Sequence, residues 1–175
     1  MASRSLNDLT PRMKEKALHV QLDCKKSGVE LLIYCTLRSL EEQAIAYRQS
    51  RPYPVIAKKM LKLKMDGYGY LADIIEKVGP QSGPHVTNAA PGESWHNYKM
   101  AIDAVPVKNG KLLWEDDAPE WEVYGNVVKM NSLTWAGSWR GWNEKPHAQL
   151  METGNPLDVY DAVEAKLILK TYDLL

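Results

Sequence analysis

The chain has 175 residues, a formal net charge of zero and 45% hydrophobic residues, enough for one domain whose core needs neither disulfide nor metal merely to fold. Charged residues at 25% exclude wholesale disorder, and no apolar run approaches the ~20 residues of a membrane-spanning helix. Met1–Thr10 lacks the apolar segment of a secretory signal, and Cys24 and Cys35 read as buried, reduced thiols rather than a disulfide framework.

Charge is unevenly placed. Residues 1–64 hold 13 Lys/Arg against 6 Asp/Glu, and residues 65–175 hold 9 against 16. Two halves of opposite sign can pair within a fold, or the basic half can attract a polyanion such as nucleic acid. All six Trp lie beyond residue 94 and Phe is absent.

In chain order, Pro11 opens a first helix that ends near Gly28, with Met13, Ala17, Leu18 and Leu22 as its apolar side. Val29–Leu37 has the aliphatic, β-branched profile of a buried strand. Ser39 with Glu42 forms a capping box for a helix over Leu40–Gln49. Residues 52–83 suggest two short helical pieces broken at Gly67–Gly69. Ala101–Val107 reads as a strand, with Pro106 pointing to an edge or an ending. Asn109-Gly110 is a hairpin turn signal, and Lys111–Trp114 is the return strand. A helix over Pro119–Met130 and short strands at Leu133–Trp135 and His147–Leu150 follow. Asn155-Pro156 is a cap followed by a first-turn proline, which predicts a C-terminal helix over about 156–172.

Of four histidines, His19 and His85 have no companions at ligand spacing. His96 and Asp103 differ. Seven positions span about 10.5 Å along a helix and more than about 20 Å along a strand, so these two residues meet only if the chain bends between them. A turn through Asn97–Lys99 into the strand from Ala101 would do this. Glu144 and His147 form a second cluster. Pro146 disfavours helix at Lys145, and a kink at Lys145-Pro146 would turn Glu144 toward the side of His147. Two His, one Asp and a free Glu suit a catalytic zinc site: three ligands leave a position open, and a nearby carboxylate can take a proton. A surface turn for the first cluster, and a surface ion pair for Glu144, would account for the same residues.

Ser94-Trp95-His96-Asn97-Tyr98-x-x-Ala101-Ile102-Asp103 resembles the S-x-H-x-x-G-x-A-x-D signature of the VanY/VanX-type zinc peptidases, the M15 or LAS family. Glu144-x-x-His147 resembles that family's second signature, and Tyr34-x-x-x-Arg38-Ser39-x-x-Glu42-Gln43 its upstream Arg motif. Val86-Thr87-Asn88-Ala89-x-Pro91-Gly92 and Trp135-Ala136-Gly137-x-Trp139 match in the same order. The branch resembled most is the L-alanyl-D-glutamate endopeptidases, which include small phage endolysins.

The resemblance implies a single α+β catalytic domain over 1–175. A small antiparallel sheet carries the zinc site, flanked by helices, with the 52–83 segment as an insert and a C-terminal helix. It implies one zinc per chain on His96, Asp103 and His147, Glu144 as the general base, and Arg38 as the cation that meets the developing oxyanion. Ser94, Tyr98 and Trp142 would support the site or line the cleft. The implied activity is hydrolysis of peptidoglycan stem peptides, most simply by a monomeric phage lysin. Such a lysin is made in the host cytoplasm without a signal and released to the wall, and nucleic acid is not an expected partner. Rival readings are a D-Ala-D-Ala carboxypeptidase or dipeptidase, a non-catalytic wall-binding or phage structural module, and a nucleic-acid binder. The family's glycine is replaced by Lys99. A positive φ there would cost a non-glycine residue about 1–2 kcal/mol; otherwise the turn differs, or Lys99 reaches toward substrate carboxylates.

Overall fold

The computed structural model describes residues 2–141 and 143–175. The described helices and strands are, in chain order, α1 (Pro11–Lys26), β1 (Glu30–Cys35), α2 (Leu40–Arg48), α3 (Tyr53–Met65), α4 (Gly69–Lys77), β2 (Ala101–Lys108), β3 (Lys111–Leu112), α5 (Glu120–Met130), β4 (Thr134–Trp135), β5 (His147–Gln149) and α6 (Ala162–Thr171). The class is α+β, as the sequence predicts. The chain sorts into two compact units, one of Ala2–Leu37 with Lys99–Glu152 and one of Arg38–Tyr98 with Thr153–Leu175.

The first unit holds every described strand together with α1 and α5. Its antiparallel sheet runs β1-β2-β5-β4, with β3 also pairing β2. Pro106 lies inside β2 opposite Leu31, beyond the stretch that pairs β5. The missing N–H therefore costs no bond to β5, and the Pro106 carbonyl accepts from Leu113 N at 3.0 Å. Asn109 (φ 52) and Gly110 (φ 74) make the tight turn into β3, which is shorter than the return strand expected to reach Trp114.

Thr10 caps α1, its hydroxyl accepting from Met13 N at 3.3 Å, and Pro11 occupies the first turn, where a missing N–H is harmless. The buried stripe is Met13, Ala17, Val20 and Cys24, spaced at four, three and four along one helical face. Leu18 and Leu22, expected to face inward, are 47% and 51% exposed because they fall beside that stripe. Burial of a Met or Val side chain contributes about 1.5–3 kcal/mol. The same burial pushes the Cys24 thiol up to about 12, and both cysteines are buried and outside any disulfide, as the sequence predicts.

The second unit holds α2, α3, α4 and α6. The Ser39–Glu42 capping box opens α2 as expected. The 52–83 segment contains α3 and α4, broken where Gly67 takes φ +90. Ile56, Met60 and Leu63 are buried on α3, and Leu71, Ala72 and Ile75 on α4. Buried Arg48 donates to Ile75 O at 2.8 Å, satisfying a carbonyl in the last turn of α4. The C-terminal helix starts later than predicted. Asn155 caps only a 3-10 turn over Pro156–Asp158, and α6 is opened by an Asp161–Glu164 capping box. No described helix is long and apolar enough to cross a membrane.

Candidate active site

Strand register creates the first part of the site. Asp103 on β2 stands opposite Cys35 on β1 and opposite His147 on β5. Asp103 and His147 are buried, and Asp103 Oδ1 lies 3.0 Å from His147 Nδ1. The far nitrogen of the ring, Nε2, lies 3.0 Å from Gln149 Oε1. A carboxylate held away from water requires a nearby cation or several donors. A proton shared with the imidazole supplies that; so does a metal ion, since two ligands about 2.1 Å from one tetrahedral ion are about 3.4 Å apart. The Asp103–His147 pair is thus already at near-ligand spacing, and its N/O donor chemistry fits zinc.

The kink expected at Lys145-Pro146 is a closed turn, with His147 N donating to Glu144 O at 3.1 Å and Glu144 N to Ala136 O at 3.3 Å. Two aromatic residues fasten it. Trp135 Nε1 donates to Lys145 O at 2.7 Å and Tyr124 Oη to Pro146 O at 3.0 Å. The Trp135 indole fits because its neighbours are glycines: a Cβ on Gly125 would sit 2.4 Å from the ring, and one on Gly137 2.2 Å. Glu144 is half-buried. The Trp139 ring stands 6.0 Å from the His147 ring. Trp142 lies outside the described residues.

The helical unit positions Arg38, Ser94, His96 and Tyr98. His96 is buried in the 3-10 turn Trp95–Tyr98, which overlaps the turn expected through Asn97–Lys99. Ser94 Oγ accepts from His96 N at 3.4 Å. Asn97 ties the loop together: its Oδ1 accepts from Gly92 N at 3.0 Å and its Nδ2 donates to Arg38 O at 2.8 Å. Arg38 Nη1 donates to Gln43 Oε1 at 3.0 Å, and buried Gln43 donates in turn to Ala89 O at 2.8 Å. Because Ala89 O only accepts, the Gln43 amide must face it with its NH2 and offer its oxygen to Arg38. Tyr98 packs against Trp95 and Tyr160. Its hydroxyl finds no hydrogen-bond partner among the described residues, and burial pushes its ionisation well above the usual tyrosine range. Glu93, a second acid beside the first motif, is engaged by Lys59 at 2.8 Å.

Residues 87–150 match an M15 peptidase profile described as D-alanyl-D-alanine carboxypeptidase. The peptidoglycan L-alanyl-D-glutamate endopeptidase CwlK of Bacillus subtilis (strain 168) is 25% identical over 153 residues, covering 83% of this chain and 75% of CwlK. Among solved structures, the L-Ala D-Glu endopeptidase ChiX of Serratia marcescens aligns at a TM-score of 0.49 and 17% identity, over 86% of this chain and 89% of ChiX. The vancomycin-resistance D,D-pentapeptidase VanY, in complex with Zn(II), aligns at 0.45 and 16%, over 94% and 83%. The chain is thus similar to the M15 peptidases over residues 87–150 and to CwlK along most of its length.

Lys99, which stands where the resembled family has glycine, takes φ 60, and its carbonyl accepts from Thr10 N at 3.0 Å. The strained alternative raised by the sequence is therefore the one adopted. Two residues escaped sequence reasoning. Cys35, read only as a buried thiol, brings its sulfur within 4.8 Å of an Asp103 carboxylate oxygen. Gln149 was not singled out, although it is buried against His147. The signal for both is position on strands flanking Asp103, visible only once the register is known.

Proposed function

We propose that the protein is an M15-type zinc peptidase that hydrolyses the L-Ala–D-Glu bond of peptidoglycan stem peptides, with one zinc held by His96, Asp103 and His147. The observation that carries the reading is the buried Asp103–His147 pair, set by register between adjacent strands with its donor atoms 3.0 Å apart. The bond assignment is supported by the similarity to CwlK along most of both chains.

A bound zinc would polarise the scissile carbonyl and acidify the attacking water. Glu144, on its fastened turn, takes the proton from that water and delivers it to the leaving nitrogen. Arg38, oriented by Gln43, directs guanidinium N–H groups at the oxygen on which charge develops. Ser94 braces the His96 backbone. The setting that suits the motif resemblance is a monomeric phage lysin acting on the wall.

The D-alanyl-D-alanine carboxypeptidase description of the matching profile favours a second reading on the same chemistry. Mass spectrometry of digested peptidoglycan separates the two. Muramyl-L-Ala left on the glycan supports the endopeptidase, and free D-Ala moves the protein to the carboxypeptidases. Digestion unaffected by a chelator would overturn both.

A further inference from the structure

We propose that Gln149 is a positioning residue that fixes the tautomer of His147, holding Nε2–H so that Nδ1 is the nitrogen presented to the metal. The proposal rests on the reading of His147 as a zinc ligand. Gln149 lies two residues after His147 on β5, so both side chains leave the same face of the strand. Only 1% of Gln149 is exposed, leaving its amide with fixed partners.

Its orientation is decided chemically. Gln149 Nε2 lies 2.7 Å from Met151 O, and a carbonyl oxygen only accepts, so the NH2 must face it. The amide oxygen is thereby turned to His147 Nε2 at 3.0 Å, where only an N–H makes a favourable contact. A neutral ring protonated at Nε2 carries its lone pair at Nδ1, 3.0 Å from Asp103 Oδ1. Lone pair would then face carboxylate, an arrangement that a zinc ion held between them would relieve. The chain Met151 O, Gln149, His147, Asp103 thus specifies which nitrogen binds. Outer partners of metal-bound imidazoles act in this way and typically change metal affinity by about 10–100-fold.

The test is long-range proton–nitrogen NMR of the uniformly 15N-labelled full chain, titrated with zinc, with His147 assigned through His147→Gln. The expected spectrum has His147 protonated at Nε2 and shifted at Nδ1 by zinc. Zinc bound through Nε2, with the proton on Nδ1, overturns this proposal and leaves the zinc peptidase reading standing. A His147 ring unmoved by zinc overturns both. As a second measurement, Gln149→Leu should bind zinc about 10–100-fold more weakly against a chromophoric chelator, with an unchanged circular dichroism spectrum. It should also populate both tautomers before zinc is added. A single Nε2–H tautomer and parent affinity in that variant would also overturn the assignment.

Discussion

Replacing Gly125 by alanine tests how the turn carrying Glu144 and His147 is held. A Cβ there would lie 2.4 Å from Trp135 Cε3 and Cζ3, whereas carbon contacts settle near 3.5 Å, so the ring must retreat by about 1 Å. It has no easy direction. The backbone of Gly137 closes on its other edge, where a Cβ would be 2.2 Å away, and Nε1 is tied to Lys145 O at 2.7 Å. Overpacking of this kind costs about 1–3 kcal/mol, and a large ring blocked on two sides belongs at the upper end. Alanine in mid-helix returns about 1 kcal/mol over glycine. The clash wins, for a net loss of about 2 kcal/mol, which lowers the melting temperature by about 4–8 °C in a chain of this size. Thermal melts followed by circular dichroism measure it. Gly69→Ala is the control, since its Cβ meets nothing closer than 3.9 Å, and it should be neutral or mildly stabilising. In a Trp135→Leu background the cost of Gly125→Ala should shrink. A Gly125→Ala protein that melts at or above the parent would refute the pinned ring and, with it, the account of how the turn is fastened.

Glu144→Gln should bind zinc like the parent and melt within about 2 °C of it, yet lose at least ~10²-fold in wall-digestion rate, because the proton carrier is gone; loss of zinc instead would make Glu144 a ligand. Arg38→Ala should keep fold and metal but lose at least ~10² in turnover number, the usual scale for one oxyanion donor, and near-normal turnover would reduce Arg38 to a structural role. Lys99→Gly should stabilise the protein by about 0.5–1 kcal/mol, since relief of about 1–2 kcal/mol of left-handed strain outweighs the added unfolded-state freedom of glycine; a lower midpoint in urea would show that the lysine side chain contributes more than its backbone costs.

What the sequence made legible was local. The Ser39–Glu42 box, the Asn109-Gly110 turn and the break near Gly67 each depend on a few adjacent residues, and all three stand in the structure. Errors arose where two local signals competed. Asn155-Pro156 is a good helix opening, but Asp161 with Glu164 is a better one six residues on, and the chain uses the first for a single 3-10 turn. On α1, Leu18 and Leu22 form an apolar ladder as regular as the buried one; only the sheet beneath chooses between them. Residues whose significance lies wholly in pairing, Cys35 and Gln149, carry no local mark at all.

The candidate pair makes this dependence on pairing concrete. Asp103 and His147 are separated by 44 positions in the chain and are joined by β2 and β5, which share three register pairs. Side chains alternate with a period of two, so a one-residue slip would send one member of the pair to the opposite face. Three pairs are a short ladder for so strict a requirement. The backbone extends it at both ends, Leu150 N donating to Met100 O at 2.9 Å and Ala104 N to Pro146 O at 3.0 Å. The second of these bonds uses the carbonyl that Tyr124 also engages. The proline that bends the chain between Glu144 and His147 therefore also closes the ladder that sets His147 against Asp103. The E-x-x-H spacing and the strand register are two consequences of one turn. A change that loosens that turn should disturb the proposed base and the proposed ligand together, and no repacking elsewhere in the sheet can restore one without the other.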